Sequence, residues 1–571
     1  MSAPLESVRR LATNRSSSAV FATAAALIVL KLWLVSAQPV IAMGLASHDD
    51  RLYVDLAHSL RDGAWLGPFN ELTLAKGCFY PIWVALVSRL GIPLLLSQHL
   101  LYLLAVLAVV GAVRPMGYGP WRLLALGAVL WFNPGTYTAQ VLRVMREGIY
   151  PALTLLVIAG SVGTLLRARV GSPRALWPWW LLSALSSAAF WQTREEGVWL
   201  LPFLAAVVAF VFARQWMRAP RRWSWGLSCV IPLLAIPCSD GLVALINKAH
   251  YGIAVTVEFR SHDFTAAYGA LTRVEPKQLV PHVQVSKAMR ELIYPVSPAF
   301  ATLEPWLDGP VAHSWTAGEG GEIPGGSFAW AFRHAVARAG YYADGRKAMA
   351  FYRQLASEVD SACKAGKLDC LPARASMMPP WVPGYGRAML NAFARAMLFT
   401  AGFDGMSADP APSAGNDSTQ ALYRKLTHDR IAPLGTVSDA RVAGRAAERV
   451  RLLDRALGLY QVVMPILALL ALAAFIVQTV AAIRRRSIPD IWVVQAGLLG
   501  ALLARLVIVS LIDITSFPAI GPLYLTAAYP VSILLVFLAL YERERMRLPP
   551  GPWWSKSIFD LRRSSAAADR P

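Results

Sequence analysis

Long apolar runs alternate with short polar loops along most of the chain, and that alternation predicts helices crossing a lipid bilayer. A span needs about 20 apolar residues to cover roughly 30 Å of hydrocarbon. Ten stretches suit the role: residues 19–44, 95–113, 121–133, 149–166, a fifth opening on Trp177, Trp179 and Trp180 and ending at Thr193, then 197–213, 225–247, 456–482, 491–512 and 519–541. No small-residue cleavage pattern follows the first, which reads as a signal anchor. Residues 82–92 are apolar but interrupted by Ser88, Arg89 and Gly91, which predicts a re-entrant or interfacial helix. The stretch 250–455 has no span. Helical periodicity at 327–340 and 343–365 predicts a mostly helical domain there, and the run ADPAPSAGNDS at 408–418 predicts a flexible linker.

The expected fold is therefore an all-α polytopic membrane protein of about 10 transmembrane helices, with a large, mostly helical extracytoplasmic insertion. It divides into a transmembrane module at 1–249 (spans 1–7, first outer loop 45–94), a polar domain at 250–455, C-terminal spans at 456–545 and a basic cytoplasmic tail at 546–571.

Composition supports this and excludes a string of soluble domains. Hydrophobic residues make up 56% and charged residues 16%, with mean hydropathy +0.44. The formal charge of +20 would suit nucleic acid if it formed one patch. Instead the basic residues sit in loops between spans: Arg9, Arg10 and Arg15, then Arg114 and Arg122, Arg167, Arg169 and Arg174, Arg214, Arg218, Arg221 and Arg222, and Arg484, Arg485 and Arg486. That distribution follows the positive-inside rule. It places both termini in the cytoplasm, the chain in the cytoplasmic (inner) membrane, and 250–455 outside, with membrane lipids and no nucleic acid as partners. Cys363 and Cys370 are close enough to bridge in an extracytoplasmic loop. Cys229 and Cys238 read as core residues.

Three short outer segments, HDDRLY, RVMREGIY and QTREEGVW, each couple carboxylates to arginine at the mouth of a span. A carboxylate can take a proton from a hydroxyl, and arginine or lysine can bind a phosphate or stabilise charge developing on it. Together they suit transfer of a group from a phosphate leaving group to a hydroxyl, although charged loop flanks also arise simply because loops are wet. Arg505 lies inside an apolar span, where a charge faces a cavity, a partner or a polar ligand. A lipid phosphate is the preferred partner, with Asp513 or Asp240 as the plain alternative. Asp240 itself reads as a helix-end residue in water, and His48 and His99 as loop or packed residues rather than metal ligands.

The order Asp49-Asp50-x-x-Tyr53, Gly63-x-Trp65, then Lys76 before Tyr80-Pro81 resembles the first outer loop of GT-C glycosyltransferases, above all the protein-mannosyltransferase and lipid A aminoarabinose-transferase group. Arg143-Val-Met-Arg-Glu147 ahead of a span resembles that group's second outer loop, and QTREEGVWLLP stands where it has a Thr-Lys-Gly…Pro segment. The sequence departs from the group at Asp50 (Glu is usual), at Gly77-Cys78 (two prolines) and at Glu147 (Asp).

The resemblance implies an inverting transferase that takes a sugar from a polyprenyl-phosphate donor. The acceptor would be a glycan, lipid or protein outside the membrane. Asp49, Asp50 and Glu147 would be catalytic. Lys76, Arg146, Arg194 and Arg505 are the cations available to the donor phosphate. Tyr53, Glu195 and Glu196 are substrate-pocket candidates, and a divalent metal bridging Asp49 and Glu147 is an option that only some of this superfamily use. A flippase of lipid-linked saccharides and a non-catalytic envelope-assembly protein are the rival readings.

Overall fold

The computed structural model describes residues 3–168, 173–218, 230–275, 280–316, 321–435 and 444–546. Arg9, Arg10, Arg15, Arg169, Arg214, Arg218, Arg221, Arg222, Cys229 and the tail from 547 lie outside the residues, or side chains, so described. Among the described residues the structure is helical, joined by isolated bridges and no strand.

Six helices are long and apolar enough to cross a bilayer, as a membrane-embedded chain requires. They are α1 (Ala3–Val35, apolar from Ser18), α4 (Leu94–Val113), α6 (Tyr150–Arg167), α9 (Ile231–Tyr251), α15 (Arg445–Arg484) and α16 (Asp490–Thr515). Between them lie α2 (Asp50–Arg61), α3 (Phe79–Arg89), α5 (Pro120–Trp131), α7 (Pro173–Thr193) and α8 (Leu201–Arg218). The stretch 250–455 adds α10 (His262–Thr272), α11 (Gly325–Arg338), α12 (Gly345–Lys364), α13 (Tyr385–Gly402) and α14 (Asp417–Thr427), and α17 (Ala528–Met546) closes the set.

The remaining four of the ten apolar stretches form helices that are shorter or less apolar than those six. At 1.5 Å per residue the 12 residues of α5 reach only about 18 Å. The apolar parts of α8 and α17 are also short. The 21-residue α7 hides Ser183, Ser186, Ser187, Gln192 and Thr193. A polar helix side can be hidden against a neighbour, so apolarity counted along the chain and spans built in space need not agree. The 11 residues of α3 cover about 16 Å. Arg89 at its end donates to the carbonyls of Leu60 and Arg61 at the end of α2, so α3 lies at one end of the bundle.

At the centre stands α6, almost wholly buried. Its Gly160 and Gly163 let α7 come close: a Cβ at Gly163 would sit 2.0 Å from the Trp179 ring, and one at Gly160 would meet the Ser183 backbone at 2.6 Å. Small residues drive such close helix pairs in lipid, and this one fixes where α7 ends at Thr193. At the opposite end of α6, Arg167 donates to the carbonyls of Gly111 and Ala112 at the end of α4 and stacks on Trp179. A cation there satisfies terminal carbonyls and complements the helix dipole. The Arg114 and Arg167 ends of the helices thus meet on one side, and the carboxylate-bearing loops lie at the other.

The first helix stops sooner than expected. Pro39 disfavours helix at Gln38, α1 ends at Val35, and Gln38 donates to the carbonyls of Tyr137 and Ala408. The chain then runs extended, Val40 bridging Ile431, Ile41 bridging Arg143, and Met43 bridging Ala414. This overturns the linker expected at 408–418. Ala408 and Ser413 are buried, the Ala408 N–H bonds Asp454, and Asn416 caps α14. Turn-forming residues here serve a tied crossing rather than a loose tether.

The stretch 250–455 packs in two parts. Residues 253–368 share a core with the loop at 45–94, Phe264, Phe328, Phe332 and Tyr352 packing with Leu52, Leu56 and Leu74. Within it Glu258 pairs with Arg333 and Tyr342, and a disulfide joins Cys363 to Cys370. The later residues Ala396, Phe403, Tyr423 and Leu426 join the core of the membrane helices instead. The last long helix pair begins earlier than 456, at Arg445. Cys238, expected in the core, is exposed on its helix.

Candidate functional site

The loop at 45–94 is built on α2. Its Tyr53, Val54 and Ala57 face the core of the membrane helices, while Leu52 and Leu56 face the core of residues 253–368. Arg51 and Asp55, one turn apart, pair at 2.7 Å on the open side. The helix is thus wedged between two cores, and Asp49 and Asp50 sit at its start.

From there a chain of ion pairs runs inward. Lys76 bonds Asp49. Arg143 grips Asp50 with two nitrogens, Nε at 3.0 Å. Arg146 pairs with Glu195 at 2.5 Å and lies 3.9 Å from Glu147. Arg194 spans Glu147 at 2.5 Å and Glu196 at 2.6 Å. Arg505 reaches Glu196 at 3.5 Å and donates to the Tyr524 carbonyl, Nε at 3.1 Å. Four segments distant in sequence and one membrane helix therefore meet, with Lys76, Arg143, Arg146, Arg194 and Arg505 facing Asp49, Asp50, Glu147, Glu195 and Glu196. Five cations balance five carboxylates.

Their exposures differ sharply, and that sorts their roles. The Asp49 side chain is 48% exposed. Burial alone would raise its carboxyl, but Lys76, helped by Arg143 and Arg146, outweighs burial and holds it below the usual carboxylate range. Asp50, expected among the catalytic carboxylates, is fully buried under Arg143 and cannot meet a hydroxyl, so it positions Arg143. Glu147 and Arg194 are each 1% exposed. Arg194 donates through Nη1 to Glu147 and through Nε to Glu196, and is so enclosed that it offers little surface to a donor phosphate. The Glu195 and Glu196 side chains are partly exposed, 16% and 25%; their partial burial raises both carboxyls, yet Arg146 and Arg194 respectively hold them below their ordinary range.

The metal reading does not fit these side chains. Asp49 is held by Lys76 and Glu147 by Arg194, and no group of three or more His, Cys, Asp or Glu gathers among the described residues. The partners expected for Arg505 are also taken. Asp513 accepts from Arg395 and from the N–H groups of Ala519 and Ile520. Asp240 lies midway along α9, not at its end, and accepts from Trp191 and Gln192. His99 is buried against Trp131. Two further cations matter that no local pattern marks. Arg143 is held by Asp50, and Lys31, buried in α1, donates to the Trp131 carbonyl and to Thr136 at 2.8 Å.

Tyr53 sits inside the cluster, its ring 5.2 Å below the Lys76 ammonium and edge-on to Tyr80. Its hydroxyl, Arg146 Nε and Glu147 Oε2 are all buried without a protein hydrogen-bond partner. Buried polar groups are nearly always satisfied, so these three mark where water or a ligand oxygen belongs.

Gly77 links the loop to α7: its N–H donates to Glu195 at 3.0 Å, and a Cβ there would lie 2.1 Å from the Gln192 carbonyl oxygen. Proline, which the resembled group has at this place, would lose that donor. Gly77→Ala is expected to push the loop that carries Lys76 away from α7 and to cost about 1–3 kcal/mol of stability. Thermal unfolding checks this; an unchanged melting temperature contradicts it.

A second expectation concerns Asp50. Burial pushes its carboxyl up to about 6, Arg143 opposing and Asp49 adding, whereas an unfolded Asp titrates near about 3.9. The folded state binds the proton more tightly, so this contribution to stability is full below about pH 3.9 and is lost as pH rises through about 6. Asp50→Asn removes it. The melting temperature of the variant relative to wild type should therefore climb between about pH 4 and 7, and a flat or falling difference contradicts the assignment.

Compared with protein-family models, characterised proteins and solved structures, this chain matches none.

Proposed function

We propose that this protein is a membrane glycosyltransferase, moving a sugar from a polyprenyl-phosphate donor to an acceptor hydroxyl at the outer face of the cytoplasmic membrane. The observation that carries the reading is the balanced ion-pair cluster at one end of the membrane helices, whose most exposed carboxylate, Asp49, is paired to its one lysine.

That pairing supplies a mechanism. A polyprenyl-phosphate sugar is a phosphodiester with one negative charge, and its arrival gives Lys76 a second anion to hold. As Lys76 turns to the phosphate, Asp49 loses the cation that keeps it weakly basic, and its carboxylate gains proton affinity. Asp49 then takes the acceptor's hydroxyl proton while the oxygen attacks the anomeric carbon from the face opposite the phosphate. The new C–O bond forms, the bond from the anomeric carbon to the phosphate oxygen breaks, and its electron pair leaves with the polyprenyl phosphate. The configuration inverts. The phosphate gains charge as it departs, so Lys76 and the part-exposed Arg143 stabilise the transition state more than the ground state. Arg194 and Arg505, enclosed behind them, hold Glu147 and Glu196 in place.

A flippase would need charge along a path through the bilayer. Arg505, the cation that suggested one, ends at Glu196 and so belongs to the cluster. The test is to incubate purified protein in lipid nanodiscs with radiolabelled polyprenyl-phosphate sugars and acceptor extracts. Label passing from the lipid to a water-soluble or protein product supports the transferase. Lipid scrambling in vesicles without any transfer supports the flippase and removes the transferase.

A further inference from the structure

Beside Asp49 stands a group of aromatic side chains that the reaction outlined above leaves unused. His48, next to Asp49 in sequence, meets the rings of Trp315 and Trp330 edge-on, both at 4.9 Å. Trp330 also lies 5.5 Å from the Lys76 ammonium. One turn further along α11, His334 sits 3.6 Å from Glu71 of the loop at 45–94 and 6.0 Å from the Trp315 ring. Residues four apart share a helix face, so Trp330 and His334 face the loop together while Phe328 and Phe332 fill the core of residues 253–368. Both indoles are only partly buried. Trp330 is braced from behind by Phe259, edge-on at 4.9 Å, and by the Arg333 guanidinium at 5.9 Å.

We propose that Trp315 and Trp330 form a stacking platform for the ring of a saccharide acceptor, with His334, Glu71 and His48 at its rim for the hydroxyls. This rests on the transferase reading and narrows its acceptor to a glycan. A sugar ring has one face of C–H bonds and an edge of hydroxyls. The first suits the electron-rich face of an indole, and the second suits the imidazoles and the carboxylate. A lipid tail would meet charged groups here, and an extended peptide would find no strand among the described residues to pair with. The platform is carried by the outer domain, on the side of Asp49 away from the membrane helices, where a water-borne acceptor would arrive. It brings the acceptor hydroxyl to the carboxylate while the donor phosphate takes Lys76, and it gives residues 253–368 a part in the chemistry.

The experiment is saturation-transfer NMR on the full chain in nanodiscs, using a panel of methyl hexopyranosides and methyl pentofuranosides as probes. For at least one glycoside the ring C–H protons should be saturated by wild type. Trp330→Leu and Trp315→Leu should weaken that binding about tenfold, while Trp330→Phe, which keeps a ring, retains most of it. Leu and Phe variants of matched thermal stability separate loss of the stack from loss of the fold. If wild type saturates no glycoside, or the Leu variants bind as wild type does, the platform is wrong even where transfer occurs. If glycosides bind through Trp330 but no donor yields transfer, the transferase reading falls and the sugar site stands.

Discussion

Asp49→Asn is expected to slow sugar transfer about 10²–10⁴-fold, the usual worth of a general base, without unfolding the protein. The side chain is half exposed and its partner is Lys76 alone, so an amide of the same shape removes the proton acceptor and little packing. Asp50→Asn should behave differently although the two are neighbours. Asp50 never meets solvent and acts through Arg143, a cation that works chiefly in the transition state, so its loss should lower kcat by less than the loss of Asp49 does and leave the KM for the donor little changed. Single-turnover rates with labelled donor in nanodiscs separate the two. Wild-type rates in Asp49→Asn would remove Asp49 from the chemistry and leave the cluster a structural feature.

Arg194→Met is expected to cost about 3–5 kcal/mol of stability, the penalty for removing one partner of a buried ion pair. Arg194 is enclosed and serves two carboxylates at once, Glu147 through one nitrogen and Glu196 through another. Its removal leaves Glu147 facing only a distant Arg146 and leaves Glu196 to Arg505 at 3.5 Å. Arg194→Lys should recover little, since an ammonium has no planar fork to span both acids. Adding Glu147→Gln to Arg194→Met should recover part of the loss, because the stranded charge is what costs most. Thermal unfolding of the single and double variants measures that coupling; additive losses would mean that Arg194 and Glu147 do not interact.

Much of the cluster was legible along the chain because its residue types are local. Acidic and arginine residues at the ends of apolar runs announce themselves, as HDDRLY and QTREEGVW do. What the chain does not display is who pairs with whom. Arg505 finds Glu196, 309 residues away, and not the nearby Asp513, because α13 brings Arg395 to Asp513 first. Such choices are made by helix packing, which no local pattern encodes. The stretch 408–418 misled for the opposite reason. Proline, glycine and serine favour turns whether a segment is loose or tied, and only the bridges to residues 42–43 reveal that it is tied. The tryptophans beside Asp49 carry no signal along the chain, since a partly buried indole, Trp330 on α11 or Trp315 in the turn before it, looks like core until the facing loop is seen.

The cluster is neutral as it stands, and the account requires Lys76 to be the cation that leaves its carboxylate for the donor. Equilibrium binding of undecaprenyl phosphate, without any sugar, to wild type and to Lys76→Gln in nanodiscs tests that step most directly. A charge-assisted hydrogen bond is worth about 1.5–3 kcal/mol, so the variant should bind the lipid phosphate about ten- to a hundredfold more weakly. Equal affinity would mean that the phosphate rests elsewhere, and the pairing of Lys76 with Asp49 would not be part of a transfer reaction.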